Sequence, residues 1–90
     1  MTGKERAELR KLANPLPAIL QIGKGDIGDN LIAAVDDALK KRELIKLSVL
    51  ETANVAAKDA AETIAAATRA EVIQCIGRKF VLYRKKPEEA

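Results

Sequence analysis

Hydrophobic and polar positions follow two different periods along this chain, and the switches between them mark its elements. In Leu44 to Leu50, Ile45, Leu47 and Val49 alternate with Lys46 and Ser48. That period of two predicts a half-buried strand. From Ile27 to Arg42 the spacing widens. Ile27, Leu31, Ala34, Val35, Ala38 and Leu39 form one stripe, which predicts an amphipathic helix. Its solvent side carries Asp36–Lys40 and Asp37–Lys41, acid-first pairs four residues apart. A second helical stripe, Ala57, Ala60, Ala61, Ile64 and Ala65, predicts a helix from Val55 to Thr68 capped by Asn54. Its small side chains let it lie close to a sheet.

The opening residues, up to Asn14, predict a further helix. Thr2 is placed as its N-cap, with Glu5 at the capping-box spacing. Leu9 and Leu12 give it a narrow apolar edge, and Asn14-Pro15 ends it. Ala18 to Ile22 predicts a first strand, Glu71 to Ile76 a third, and Lys79 to Arg84 a fourth. Gly77-Arg78 joins the last two as a hairpin. The predicted order is α-β-α-β-α-β-β, an α/β fold with a four-stranded mixed sheet and right-handed crossovers. Ninety residues allow one domain.

Composition removes several functional classes. There is no His and only one Cys. The usual zinc, haem and iron–sulfur ligand sets are therefore excluded, as are Ser/His/Asp and Cys/His catalysis. No metal and no cofactor is expected, and no general acid–base pair points to an enzyme. Phe80 and Tyr83 are the whole aromatic complement, too few for a platform of stacking rings. They differ in parity along their strand, so one ring is expected in the core and Tyr83 at the edge or outside. Cys75 reads as a small buried hydrophobe. The longest apolar run is five residues, and no signal-peptide pattern opens the chain. A cytoplasmic monomer away from membranes is the expectation.

The net charge of +3 is small; its distribution carries more information. Gly23-Lys24-Gly25-Asp26 falls between a predicted strand and a predicted helix N-terminus. Free N–H groups and the helix dipole favour an anion there, and glycines let a phosphate approach the backbone. The plain alternative is a turn with Asp26 as helix cap. Gly23 to Gly28 also matches G-x-G-x-x-G, with Glu51 at the end of the next strand. That keeps a small nucleotide-binding module open, although the chain is short for one. A basic protein-interaction domain is the other alternative. Further cations stand at Lys40-Lys41-Arg42, at Arg78 and Lys79, and at Arg84, Lys85 and Lys86. The last five fall in a stretch without an acid, while Asp36, Asp37, Asp59 and Glu62 are expected elsewhere. Lys4, Arg6, Arg10 and Lys11 give the first helix a basic side.

Taken together, Leu9-Arg10 to Ala13, QIGKG (Gln21 to Gly25), NLIAAVDDAL (Asn30 to Leu39), ELIKLSVL (Glu43 to Leu50) and VIQCIGRKFVLYRKK (Val72 to Lys86) resemble the CRM domain. This is the chloroplast RNA splicing and ribosome maturation module, here in its small stand-alone bacterial, YhbY-like form. The resemblance covers about residues 3–86. It implies a domain over 1–86 followed by a polar tail at 87–90. It also implies a fold similar to the C-terminal domain of translation initiation factor three. The function implied is binding of ribosomal RNA in large-subunit precursors, partly through a G-x-x-G loop. That loop maps onto Gly23, Lys24, Gly25 and Asp26, where Asp26 replaces the family's usual glycine. A carboxylate there competes with phosphate for the same N–H groups. The RNA-binding set expected on these grounds is Gly23, Lys24, Gly25, Asp26, Lys40, Lys41, Arg42, Arg78, Lys79, Arg84, Lys85 and Lys86.

Overall fold

The computed structural model describes residues 2–23, 27–53 and 55–85. Lys24, Gly25, Asp26, Asn54 and Lys86 lie outside the described residues, as does the tail. The element order is α1 (Gly3–Ala13), β1 (Leu20–Ile22), α2 (Asp29–Arg42), β2 (Leu44–Val49), α3 (Ala57–Thr68), β3 (Glu71–Ile76) and β4 (Lys79–Tyr83). It is the order that the periodicity predicts.

The four strands form one sheet in the order β1-β2-β4-β3. β1 and β2 are parallel, while β4 is antiparallel to both β2 and β3. The hairpin thus inserts its second strand between β2 and β3. This insertion explains the apolar run in β4. Phe80, Val81 and Leu82 are all buried, because a central strand is covered on both faces.

Two helical layers do the covering. Ile45, Leu47 and Val49 of β2 join Phe80 and Leu82 against Val35 and Leu39 of α2 and the Ala60, Ala61 and Ile64 face of α3. On the opposite face, Ala13 of α1 meets Ile73 and Val81, with Leu9, Leu16, Leu44 and Tyr83 packed around them. Each large side chain buried in this way stabilises the fold by about 1.5–3 kcal/mol relative to exposure.

Several expectations are corrected. The N-caps of α2 and α3 are Gly28 and Ala56; Asp26 and Asn54, which the sequence offers as caps, lie outside the described residues. Ala34 is exposed and Ile32 packs in its place, because α2 starts later and presents a slightly rotated stripe. Leu12 is 62% exposed, and Ala13 holds the buried position in that last turn of α1. Cys75 is exposed: β3 is an edge strand, and Cys75 lies near its outer end, where cover stops. A register shift between Val72 and Gln74 bulges this strand. Thr2 does cap α1, its Oγ accepting from the Glu5 N–H at 3.1 Å.

Three connections use left-handed backbone. Gly77 opens the hairpin turn at φ 59°, where a side chain is strained. Arg69 ends α3 at φ 60°, and Glu43 turns α2 into β2 in a single residue at φ 61°. The Glu43 carbonyl accepts from the Arg84 N–H at 2.9 Å, which ties the end of β4 to this turn.

Candidate nucleic-acid interface

The strand directions give the molecule two functional ends. β1 and β2 finish at one end, where α2 and α3 begin and the β3–β4 turn sits. We refer to this as the loop end. At the far end α2 and α3 finish and β4 exits.

At the loop end the backbone holds three segments together. The Leu50 N–H donates to the Ile22 carbonyl at 2.9 Å, and the Val49 N–H donates to the Arg78 carbonyl at 2.7 Å. Gly23 and the hairpin tip therefore flank the end of β2. A Cβ on Gly23 would meet only Leu50 Cδ1, at 3.5 Å, an ordinary contact. Gly77 is the one described glycine with a left-handed φ, so among the described residues neither crowding nor backbone geometry requires glycine at position 23. Arg78 pairs with Glu51 at 3.1 Å across an exposed surface, and Lys79 is exposed. Such an exposed pair holds its cation loosely, at about 0–1 kcal/mol. The N-termini of α2 and α3 point to this end, and among the described residues neither receives a side-chain cap, their N-cap residues being Gly28 and Ala56. Their free N–H groups and positive dipole ends add to the two cations.

The far end carries more cations, and three of them are paired with acids, two across exposed surface and Arg84 in a largely covered clamp. Lys40 pairs with Asp36 at 3.2 Å and Lys41 with Asp37 at 3.3 Å. Arg84 is largely covered. Its Nη1 donates to Asp36 Oδ1 at 2.6 Å and to the Thr68 carbonyl at 2.8 Å, and its Nη2 to the Asp36 carbonyl at 3.1 Å. It clamps β4 to α2 and α3. The Arg84 guanidinium, with Lys40 second, holds the Asp36 carboxyl below its ordinary pKa. Asp36 and Asp37, expected elsewhere, are thus interleaved with these cations, while Asp59 lies in the first turn of α3 at the loop end. Two helix C-termini add negative dipole ends. Arg42 and Lys85 remain exposed here. Lys40, Arg84 and Lys85, with Arg69, line an open groove of about 630 Å³ that also contains Asp36. Arg69 is absent from the expected set, because nothing in the sequence next to it signals this neighbourhood.

The run from Arg78 to Lys85 is therefore not one cluster. β4 separates Arg78 from Arg84 by about 20 Å at 3.4 Å per residue. Both rings are likewise occupied: Phe80 is buried, and Tyr83 packs half-buried against the α1 cluster. On α1, Arg6 donates to the Val72 carbonyl at 2.6 Å and pairs with Glu71 at 3.3 Å, so it anchors the helix. Among the described residues no group of His, Cys, Asp and Glu is arranged to hold a metal, and no helix is long and apolar enough to cross a membrane.

Comparison with known proteins agrees with this architecture. Residues 1–84 match the family model of the CRS1 / YhbY (CRM) domain. The chain is 41% identical over 88 residues to "Probable RNA-binding protein YqeI" of Bacillus subtilis, covering 98% of this chain and 92% of that protein. It is 28% identical over 88 residues to a protein of Haemophilus influenzae named "RNA-binding protein", covering 98% and 89%. The solution structure of hypothetical protein SAV1595 from Staphylococcus aureus superimposes with a TM-score of 0.80 at 46% identity, over 100% of this chain and 94% of that one. The chain belongs to the CRS1 / YhbY (CRM) domain family.

Proposed function

We propose that this protein binds structured RNA, specifically ribosomal RNA of large-subunit precursors in the cytoplasm. In this reading it assists their maturation as a monomeric binding protein, with no catalytic step of its own. The names of the relatives support an RNA partner. The observation that carries the reading is the meeting of Gly23, Arg78 and Lys79 at the loop end, beside the N-termini of α2 and α3.

A phosphate fits this end on simple grounds. Gly23 and Gly25 allow close backbone approach, and Lys24 supplies a mobile cation. Arg78 exchanges its loose pairing with Glu51 for a stronger, bidentate contact with a phosphate. The neighbouring backbone runs along Lys79. With both rings packed, RNA is gripped through backbone and shape in preference to stacked bases. Of the far-end cations, Lys40, Lys41 and Arg84 contribute less, since each is paired with an acid, while Arg42 and Lys85 stay exposed.

Titration of a structured RNA at several salt concentrations tests the reading. Engagement of about four to six phosphates gives a slope of log K against log[salt] of roughly −3 to −5. A slope near zero would refute it.

A further inference from the structure

We infer that RNA held at the loop end continues across a strip of the sheet that α1 leaves uncovered, where Gln21, Ser48, Lys79 and Ile76 form one row through all four strands. The inference rests on the RNA reading above and extends its footprint from Lys79 to Gln21, Ser48 and Ile76, which are not in the expected RNA-binding set. The row follows from the register. Gln21 is opposite Ser48, Ser48 opposite Lys79, and Lys79 opposite Ile76. Their neighbours Ile22, Leu47, Val49 and Phe80 point into the α2–α3 core, so this row faces the α1 side.

The cover given by α1 ends one row earlier. There Val81, flanked by Lys46 and Gln74, is buried beneath α1. The Lys46 ammonium reaches the Asn14 carbonyl at 3.2 Å, at the end of α1. Beyond that line Gln21 and Lys79 are exposed, and Ile76 is 66% exposed.

The chemistry of the strip suits RNA. Lys79 and Lys46 supply cations, while Gln21, Ser48 and Gln74 supply hydrogen-bond donors and acceptors for sugar hydroxyls and base edges. None of these rows contains an acid. Ile76 offers one apolar contact for a base or sugar. Leu50, 41% exposed beside Gly23, is a second apolar contact, and a protein partner normally requires a larger continuous apolar centre than these two side chains provide. The strip also continues directly into the hairpin tip at Arg78, so one strand can touch both without a break.

The test combines backbone-amide NMR with variants, using an RNA hairpin that carries a single-stranded flank. Titration is expected to move the amides of Gln21, Ser48, Ile76 and Lys79 while those of Ile64 to Thr68 stay still. Lys79→Glu is expected to weaken binding about tenfold and Gln21→Glu about threefold, with thermal melts confirming the fold. Lys79→Gln, which keeps the stem, should reduce the salt slope by about one. If Gln21→Glu binds as the parent does and the amides of Gln21, Ser48 and Ile76 stay still, while Lys24→Glu and Lys79→Glu weaken binding, the strip is overturned and the loop reading stands. If Lys24→Glu and Lys79→Glu also have no effect, both fail. A polyglutamate peptide that moves the same amides as strongly as the RNA would overturn the strip as an RNA surface.

Discussion

Among the described residues of the expected set, the far end of the sheet carries five cations and the loop end two, but three of the five are paired with acids of α2. At the loop end Arg78 and Lys79 lie beside the N-termini of α2 and α3, whose positive dipole ends share their sign, with Glu51, Asp29 and Asp59 as the acids of that end. At the far end Lys40, Lys41 and Arg84 meet Asp36, Asp37, backbone carbonyls and two helix C-termini. The difference shows that a basic residue is available to a polyanion only when the fold has not already matched it. Counting Lys and Arg along the chain does not reveal this.

The largest effect should come from breaking the far-end clamp. Arg84→Ala leaves the Thr68 carbonyl without its donor. We expect a stability loss of about 2 kcal/mol, or roughly 10 °C in Tm for a domain of this size. Affinity for RNA below the new Tm should change by less than threefold. A tenfold loss of affinity in the still-folded variant would erase the distinction between the ends.

Charge reversal at the loop end should show the opposite pattern. Arg78→Glu and Lys24→Glu are each expected to weaken RNA binding about tenfold with Tm nearly unchanged, as read by anisotropy titration and calorimetry. Lys85→Glu at the far end should weaken binding by less than about threefold, because that surface already faces negative helix ends. Equal losses at both ends would replace the polarised reading with one diffuse basic surface.

Acid titration sharpens the far-end account. The Asp36 pKa is lowered in the folded state, chiefly by Arg84 and then by Lys40. A depressed folded pKa contributes stability above the unfolded value, and that contribution is lost as pH falls through the folded one. Stability measured by denaturant should therefore decline below about pH 4, and Asp36→Asn should flatten part of that decline. An unchanged acid limb in Asp36→Asn would remove this carboxylate from the clamp.

Smaller effects test the glycine and the turns. Gly23→Ala meets only an ordinary contact with Leu50. Its stability should stay within about 0.5 kcal/mol, while RNA affinity falls a few-fold if close phosphate approach is the reason for glycine. Unchanged affinity would make Gly23 incidental. Arg69→Gly, at φ 60°, should add about 0.5 kcal/mol by removing left-handed strain, and a melting curve checks this.

Much of the fold was legible because its periods are clear. Ile45, Leu47 and Val49 mark the inner face of β2, and Ala57, Ala60, Ala61, Ile64 and Ala65 mark that of α3. The caps at Gly28 and Ala56 were not legible. Asp26 and Asn54 are better capping residues by type, and helix starts depend on where packing lets the chain turn. Cys75 looked like a core residue because strand periodicity does not tell an edge strand from a central one. The site was legible as a set of residue types. Its division was not, since β4 carries Arg78 and Arg84 to opposite ends of the sheet.

The sequence by itself determined the class of fold, the element order, the family and the poverty of aromatic and metal-binding chemistry. All of these follow from local spacing and from which residue types are present. Tertiary structure alone decided that β4 lies between β2 and β3, that Arg84 holds the helices together, and that Gln21, Ser48, Lys79 and Ile76 share one open row. The reason is physical. Strand order and register are set by long-range pairing and by burial on both faces of a sheet, and neither leaves a trace in the order of neighbours along the chain.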